Sequence, residues 1–491
     1  MSAYTSRIGT TVEGCSFSRI YFVLEPGEKV SPGELVKVEV NRDIYVICRV
    51  LEAKVVSEYD KPSRVYTRRI LRLEANPSDV APGRFVLVEA ETIEELRREE
   101  NDWKVTNVSS LVAAGSPVYR LGDLAKLLLG FPPEDRGLHI GELWTGTTSG
   151  SCPVTLDPNE VLPRHVLIVG TTGTGKSYAL GVLAEELSKL GIRHIHVDVH
   201  GEFLTAAKEL GGKIMVPGDD LTIRLSSLSE LELIELIPGL TELQSEIVRR
   251  AFLELKKAGG DFTVDDLVDE IERVAPLFRA RNDTVLNAKA RAALLNRVRI
   301  IGRGVDWKSL LDKPTFIDID CRYLIHSELQ ALTAALAREL LELLRDESVR
   351  KRLRGVVLSI DEAHLFLPPR GREFAPSASV LGEVIRFGRH YGLCLVLITQ
   401  SPMDIDRRVI RTTNTRLIFA IEPDQLEALR GVFADAPAEV IRNLPKLERG
   451  VCLLTGSRET VRHAVLLRIR RRKTTHGGET PKLIENKGDE M

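Results

Sequence analysis

The chain has 491 residues, which at about 150 residues per domain is enough for several folding units and excludes a single small binding module. Hydrophobic residues make up 43% of it and charged residues 28%, so the chain can bury a core and is not mainly disordered. Its 68 basic and 70 acidic residues give a net charge of −2, which excludes a histone-like polycation and allows only a local basic channel.

Residues 1–98 predict an N-terminal β-barrel. From Ile20 onward the apolar residues alternate in short runs that are broken by turn residues, as is typical of strands. ELVKVEV, a turn at Asn41-Arg42-Asp43 and IYVICRVLEAKVV predict a hairpin. Several short strands must close or stack to hide their edges, so we expect a small antiparallel barrel that serves as a docking module. Residues 99–160 predict a connector with one helix, LGDLAKLLL, and a Gly- and Ser-rich patch, TGTTSGS.

Residues 161–224 and 312–467 predict an α/β core. HVLIVG, SYALGVLAEELSKLG and HIHVDVHG follow one another as strand, helix and strand, which indicates a βαβ unit in a mainly parallel sheet. TFIDID, GVVLSID, LCLVLITQ and RLIFAIE are nearly continuous apolar runs and predict strands covered on both faces. Residues 225–311 predict a helical insertion into this core, and residues 468–491 a polar C-terminal arm.

Cysteine spacing, the length of apolar runs and glutamine content indicate the cellular compartment and the kind of source organism. The six cysteines include no C-x-x-C pair, so we expect neither disulfides nor a structural zinc site, and a reducing cytoplasm fits. No apolar run approaches the ~18 residues of a membrane helix, and no membrane partner is expected. The scarcity of glutamine beside abundant Glu, Lys and Arg favours a thermophilic source.

The strongest motif is GTTGTGKS, which begins at Gly170 between a predicted strand and a predicted helix. Its glycines allow backbone N–H groups to point at phosphate oxygens beside the positive end of the helix. Lys176 would reach the β and γ phosphates of ATP, and Ser177 would supply an oxygen to Mg²⁺. The alternative, a glycine-rich turn with a stray lysine, is disfavoured by the flanking elements. The predicted nucleotide-binding residues are Gly170, Thr171, Thr172, Gly173, Thr174, Gly175, Lys176, Ser177 and Tyr178.

A second motif, VVLSIDEAH, is an apolar strand that ends in two acidic residues. The carboxyl edge of an open α/β sheet is where ligands bind, so Asp361 is predicted to hold Mg²⁺. Glu362 is predicted to polarise the attacking water as a general base. The alternative is an acidic pair that caps a helix.

Three further segments carry polar residues directly before or after a predicted strand. Gln400 ends the run LCLVLITQ and is predicted to sense the γ-phosphate or orient the water. Asp198 and Glu202 follow the second strand and are candidates for the outer metal shell or a subunit contact, whereas His200 reads more readily as a structural residue. Arg389 precedes the LCLVLITQ strand and is either a finger that acts across a subunit boundary or a solvated helix-end arginine.

The evidence for nucleic-acid contact is confined to two basic segments. The loop LFLPPRGREF carries Arg370 and Arg372, which could touch phosphates from the pore of a ring or belong to an ordinary solvated loop. RIRRRK at residues 468–473 is the densest basic run, and such tails are often merely solvated.

The barrel, GTTGTGKS, HVDVHGEF, SIDEAH, FGRHYG and ITQSPMDIDRRVIRTTNTRLIFAI together resemble the HerA family of the HerA/FtsK ATPases. The resemblance covers nearly the whole chain. It implies a RecA-like P-loop core of the ASCE type with a HAS-barrel-like N-terminal domain, and an ATP hydrolase that acts as a hexameric helicase or translocase on double-stranded DNA. It also implies work in double-strand-break end resection with a NurA-type nuclease docked on the barrel, and Mre11-Rad50 as a further partner.

The resemblance also assigns roles to individual residues. Lys176 and Ser177 would form the Walker A pair, and Asp361 and Glu362 the Walker B pair. The implied polar sensor is Gln400, the implied arginine finger in trans is Arg389, and a second arginine near a neighbour's γ-phosphate is Arg164. Two other functions stay open: a peripheral motor of a type IV secretion or conjugation system, and a P-loop switch in which ATP only gates assembly.

Overall fold

The structure is a computed structural model that describes residues 7–57, 84–100, 102–122, 124–144, 152–313, 315–371 and 375–477. The chain forms two compact units, Met1–Asp157 with Phe433–Arg470 and Pro158–Val432 with Arg471–Met491. The strands are β1 (Arg7–Thr11), β2 (Arg19–Leu24), β3 (Leu35–Asn41), β4 (Ile44–Ser57), β5 (Arg84–Glu99), β6 (Asp102–Thr106), β7 (Pro117–Arg120), β8 (Leu138–Leu143), β9 (Pro153–Leu156), β10 (Val166–Val169), β11 (Arg193–Asp198), β12 (Lys213–Met215), β13 (Phe316–Asp320), β14 (Val356–Ile360), β15 (Leu393–Thr399), β16 (Thr415–Ile418), β17 (Val451–Gly456) and β18 (Val465–Ile469). The helices are α1 (Leu124–Leu129), α2 (Pro158–Val161), α3 (Lys176–Lys189), α4 (Leu204–Glu209), α5 (Glu230–Glu235), α6 (Glu242–Ala258), α7 (Val264–Val274), α8 (Asn282–Ala292), α9 (Trp307–Leu310), α10 (His326–Arg345), α11 (Glu347–Leu353), α12 (Ser377–Tyr391), α13 (Arg407–Thr412) and α14 (Ala438–Asn443).

The first unit contains the predicted barrel. Its strands follow the order β2-β1-β7-β3-β4-β5, and β5 pairs again with β2, so six strands close on themselves and β6 extends β5. The predicted hairpin is present: Asn41 pairs with Ile44, which leaves a two-residue turn between β3 and β4. Alternate residues of the strands point inward and form a fully buried core that includes Ile8, Ile20, Phe22, Val36, Val38 and Val118. Closure removes the exposed strand edges, which confirms the barrel prediction.

The second unit is built on seven parallel strands in the order β12-β13-β11-β14-β15-β10-β16. Every residue of β10, β11, β13, β14 and β15 is buried, as expected for strands that helices cover on both faces. Residues 225–311 are mainly helical, and capping boxes at Thr241 and Thr263 begin α6 and α7. The fold class predicted from the sequence, an α/β P-loop core with a barrel and a helical insertion, is confirmed.

Two ranges differ from the boundaries drawn from the sequence. Residues 99–160, predicted as a connector, contribute β7 to the closed barrel and β6 as an extension of β5. They also contribute β8 and β9 to an antiparallel sheet with the order β17-β18-β8-β9. Residues 433–467, predicted within the ATPase core, belong to the first unit. Leu467 pairs with Leu143 across more than 300 residues of chain, and such a long-range pairing leaves no local pattern in the sequence. The patch at residues 145–151 lies outside the described residues.

Residues 471–477 of the predicted C-terminal arm belong to the second unit, whereas Arg468 and Ile469, also predicted in the arm, are the last residues of β18. The side chain of Arg472 is buried, and its backbone N–H donates to the Tyr178 hydroxyl at 2.6 Å. A carboxylate oxygen of Glu185 accepts from the backbone N–H groups of Lys473 and Thr474 at 2.7 and 2.8 Å. Residues 471–477 therefore fasten to α3, the helix that carries Lys176, although their polarity predicted a solvated tail. Residues 478–491 lie outside the described residues.

Candidate nucleotide-binding site

The GTTGTGKS loop joins β10, in the interior of the parallel sheet, to α3. Its backbone is left-handed at Gly173, with φ of 78°, and has φ of 121° at Gly175, which caps α3. A Cβ on Gly170 would lie 2.6 Å from the Cβ of Phe419, whereas a Cβ on Gly173 would meet open space. The loop is thus packed against the sheet at its start and open at its middle, where backbone N–H groups and the start of α3 can cradle an anion.

Lys176 is placed among carboxylates at this loop. Its Nζ donates a hydrogen bond to the carbonyl oxygen of Thr171 at 3.0 Å. Burial lowers the pKa of Lys176, while the charges of Glu362, Asp361 and Glu202 act in the opposite direction. A partly desolvated ammonium gains strongly from a polyphosphate, because the anion replaces the lost hydration.

Asp361 and Glu362 follow β14 at the same edge of the sheet. Burial, and next the charge of Glu362, raise the pKa of Asp361. The Asp361 Oδ1 accepts the backbone N–H of Glu362 at 2.9 Å, and Glu362 has a left-handed backbone with φ of 47°. Such a conformation is uncommon for a non-glycine residue and is held by its surroundings. The hydroxyl of Ser177 and the carboxylate of Asp361 are hard oxygen donors that fit Mg²⁺.

The carboxylate of Glu362 has three polar side chains around it. Its Oε1 accepts from the Nε2 of Gln400 at 3.3 Å and lies 3.4 Å from the Nε2 of His200. Its Oε2 lies 3.3 Å from the Nδ1 of His364. The Oε1 of Gln400 in turn accepts from the hydroxyl of Thr172 at 2.9 Å. Gln400 therefore links the phosphate-binding loop to the predicted general base, and the five residues form one polar network.

Two histidines of this network escaped the sequence analysis. The sequence favours a structural role for His200, but its side chain is 52% exposed and lies 3.4 Å from Glu362 and 4.0 Å from Asp361. His364 also contacts the Thr399 hydroxyl at 3.2 Å. The signal was present in the sequence, because each histidine follows a carboxylate at the end of a strand, in DVH and DEAH.

Replacing Gln400 with alanine is expected to lower the rate of ATP hydrolysis more than the affinity for ATP. The substitution removes the link between Thr172 and Glu362 and leaves Lys176 and Ser177 in place. A steady-state ATPase assay and a fluorescent-nucleotide titration measure the two quantities. Ser401→Ala changes the adjacent hydroxyl, which makes no hydrogen bond within the described residues, and serves as the matched control. Equal rates of ATP hydrolysis in the two variants would show that Gln400 has no role in the reaction.

The structure places Arg389 and Arg164 away from this edge. Arg389 is exposed near the end of α12, just before β15 begins, and Arg164 comes two residues before β10 begins. His165, the neighbour of Arg164 in the chain, contacts residues on either side of Arg389: its ring lies 3.2 Å from Ile385 O and accepts from Leu395 N at 3.0 Å. Since β15 has seven residues, about 20 Å of strand separates Arg389 from the carboxyl edge. Neither arginine belongs to the phosphate site of its own chain.

The two arginines differ in their partners. Arg164 donates to the carbonyl oxygen of Glu160 at 2.9 Å and pairs with the carboxylate of the same residue. Arg389 makes no hydrogen bond or ion pair with any residue in the described ranges. Arg389 is therefore available to a neighbouring molecule, whereas Arg164 would first have to leave Glu160.

Of the two predicted DNA-contact residues, the structure describes one. Arg370 is 74% exposed and lies 3.7 Å from the carboxylate of Asp406. Arg372 lies outside the described residues.

Comparison with known proteins gives matches along most of the chain. A family model described as the central domain of helicase HerA matches residues 138–320. The DNA double-strand break repair helicase HerA of Sulfolobus acidocaldarius is 22% identical over 500 residues, which cover 97% of this chain and 96% of the relative. The protein of the same name from Pyrococcus furiosus is 22% identical over 531 residues, which cover 96% of this chain and 93% of the relative.

Among solved structures, VirB4 of Thermoanaerobacter pseudethanolicus is similar in fold. The match has a TM-score of 0.53 and 18% identity, and it covers 70% of this chain and 98% of the other. At this identity the likeness shows a shared P-loop fold and says nothing about substrate. In the part of the chain that the structure describes, no helix combines the length and the apolar character needed to cross a membrane.

Proposed function

We propose, from the premise that this chain belongs to the HerA helicase family, that it hydrolyses ATP to drive a homo-hexameric ring along double-stranded DNA. Membership is supported by the family model and by relatives that align over almost their whole length. Those relatives are named DNA double-strand break repair helicases, so DNA ends are the substrate we propose for this chain. ATP and Mg²⁺ are the proposed cofactors.

The chemistry follows from the polar network at the carboxyl edge. The loop from Gly170 to Ser177 would bind the phosphates, with Lys176 at the β and γ phosphates and Tyr178 at the start of the same helix. Ser177 and Asp361 would hold Mg²⁺, which neutralises the developing negative charge when bound. Glu362, oriented by Gln400, His200 and His364, would accept a proton from the attacking water.

One observation carries the proposal of a ring: the phosphate site and the free arginine lie at opposite edges of the same sheet. A single chain cannot bring Arg389 to its own nucleotide, because about 20 Å of strand lies between them. A head-to-tail arrangement of identical copies would place the arginine edge of one chain against the phosphate edge of the next, and such heterologous contacts form a ring when the rotation between copies closes. Arg389 would then stabilise the transferred phosphoryl group in trans, with Arg164 as a second candidate.

Binding of duplex DNA is expected to weaken steeply with salt, because phosphate neutralisation by basic side chains releases counterions. Arg370→Ala should reduce the slope of log Kd against log salt by about 1 if this residue contacts a phosphate. Fluorescence anisotropy with a labelled linear duplex measures the slope. Arg430, which is 79% exposed and paired with Glu427, provides the control substitution Arg430→Ala. If Arg370→Ala left the slope of log Kd against log salt unchanged, Arg370 would not contact a phosphate. If DNA binding by the wild type did not depend on salt, phosphate binding in a pore would be contradicted.

The barrel is the proposed docking site for a NurA-type nuclease, and Mre11-Rad50 is a further proposed partner. The rival function is that of a peripheral motor of a secretion or conjugation system. The similarity in fold between this chain and VirB4 is compatible with it. Stimulation of ATPase activity by free linear duplex DNA would favour the helicase. ATPase activity indifferent to DNA would favour the rival or a simple assembly switch.

A further inference from the structure

A row of buried polar side chains crosses three neighbouring strands beneath the phosphate edge. Strand register sets His196 opposite Asp318 on one side and opposite Ser359 on the other. His196, Asp318 and Ser359 are each 0% exposed. Alternation along β11 brings Asp198, which is 1% exposed, to the same face as His196. Buried ionisable groups in a sheet interior are costly unless a partner compensates them.

Three atoms of this row lack such partners. Both carboxylate oxygens of Asp318 and the Nε2 of His196 lack a hydrogen bond to any described residue. Yet His196, Asp198 and Asp318 each offer a nitrogen or carboxylate oxygen such that these three atoms lie within 4.8 Å of one another. The groups are close without being bonded, and buried groups in that arrangement require something between them.

The other contacts of these side chains hold them in place around the gap. The Nδ1 of His196 contacts the hydroxyl of Ser359 at 2.9 Å, which turns its Nε2 away from Ser359. Both carboxylate oxygens of Asp198 accept backbone N–H groups, from Gly201 at 2.6 Å and from Phe203 at 2.9 Å. A carboxylate oxygen has two lone pairs, so Oδ2 of Asp198, which accepts only from Phe203, retains one for a further ligand, whereas Oδ1 accepts from both His200 and Gly201.

We propose that His196, Asp198 and Asp318 bind one divalent transition-metal cation of the zinc class, at a site separate from the nucleotide's Mg²⁺. One imidazole and two carboxylates are a donor set for Zn²⁺, Co²⁺ or Mn²⁺, whereas Mg²⁺ prefers oxygen ligands alone. Ligand atoms of one tetrahedral zinc lie about 3.4 Å apart, so the side chains need to move inward only slightly. The Ser359 hydroxyl would orient the imidazole as a second-layer partner.

The cation would stabilise the loop that presents His200 to Glu362. Asp198 begins that loop and holds it through three backbone N–H groups, of His200, Gly201 and Phe203. The ring of Phe203 packs edge-on against His196, with the ring centroids 4.6 Å apart. A metal on Asp198 and His196 would therefore fix both ends of the segment that carries His200.

The competing explanation is a proton instead of a cation. Burial raises the pKa of Asp318 to about 9, with the charges of Asp198 and Asp320 adding to the effect, so without metal this carboxyl is neutral at pH 7. A neutral acid with a buried water would also satisfy the gap. The two explanations differ in whether the folded chain retains a stoichiometric metal.

The test is metal binding by the full chain without nucleotide. The chain, stripped with a chelator, is titrated with Co²⁺ in excess Mg²⁺, which occupies any all-oxygen site. We expect one equivalent of Co²⁺ per chain, visible d–d absorption bands, and a rise in Tm that Zn²⁺ reproduces. Asp318→Asn should weaken Co²⁺ binding at least about tenfold. Asp320→Asn is the matched control, because Asp320 lies on the same strand but is paired with Arg322 at 2.7 Å.

Two results would overturn the metal site. A wild-type chain without a Co²⁺ equivalent and without a Tm response to Zn²⁺ would overturn the proposal in favour of the protonated carboxyl, even if Asp318→Asn fails to fold. Equal Co²⁺ affinity in the wild type and in Asp318→Asn would also overturn it. Since no step uses ATP or DNA, failure here is distinguishable from failure of the proposed motor.

Discussion

Lys176→Ala is expected to abolish ATP hydrolysis and to weaken ATP binding. The ammonium of Lys176 is partly buried, and its nearest hydrogen-bond partner is the carbonyl oxygen of Thr171, within the phosphate loop. Alanine would remove the positive charge that we propose lies at the β and γ phosphates, and it would leave three carboxylates, Glu362, Asp361 and Glu202, near the same point. The phosphate site would then repel its ligand. An ATPase assay and a nucleotide titration measure the effect.

Lys189→Ala is the matched control for this substitution. Lys189 lies at the other end of the same helix, is 49% exposed and pairs with Glu186. Its replacement should leave turnover within about twofold, because 13 residues of α3, about 20 Å of helix, separate Lys189 from Lys176 and the phosphate loop. Normal turnover in Lys176→Ala would refute the assignment of the phosphate loop.

Glu362→Gln is expected to retain ATP binding and to lower kcat by about 10² to 10⁴-fold, the range for loss of a general acid–base group. Glutamine preserves the shape of the side chain and its contacts with Gln400, but it cannot accept the water proton. The variant should therefore trap ATP without cleaving it. Single-turnover measurements separate the chemical step from product release.

The exposed Glu427, which is paired with Arg430 on the surface, supplies the control substitution Glu427→Gln. We expect it to have wild-type turnover. If Glu362→Gln also cleaved ATP at the wild-type rate, the base would have to be another group, and His200 would be the first to examine because it lies 3.4 Å from the same carboxylate.

Much of the fold was predictable because local patterns were strong. The apolar runs that became β10, β14 and β15 are continuous in the sequence, and the hairpin of β3 and β4 turns at a recognisable polar triplet. The antiparallel sheet of β17, β18, β8 and β9 was not predictable, because its strands are short and the pairing joins distant parts of the chain. The binding of Arg472 against α3 was hidden for a similar reason: a basic run appears solvated until its partners are known.

The residues of the site likewise fall into those that the sequence predicts and those that it does not. The phosphate loop and the Asp361-Glu362 pair have motifs with fixed spacing, and the structure brings them together with Gln400. The roles of His200 and His364 depend on which strands are neighbours, since β11 pairs with β14. The buried row of His196 and Asp318 depends on the register of β11 against β13, which no local sequence pattern contains.

The most direct test of an active site that is completed by Arg389 of a neighbouring copy is ATP turnover per chain in size-resolved fractions, with and without linear duplex DNA. Native mass spectrometry counts the copies in each fraction. We predict that the ring fraction hydrolyses ATP and is stimulated by DNA, and that the monomer fraction is nearly inactive because Arg389 cannot reach the nucleotide of its own chain. A monomer that hydrolyses ATP at the full rate, unaffected by DNA, would contradict this account.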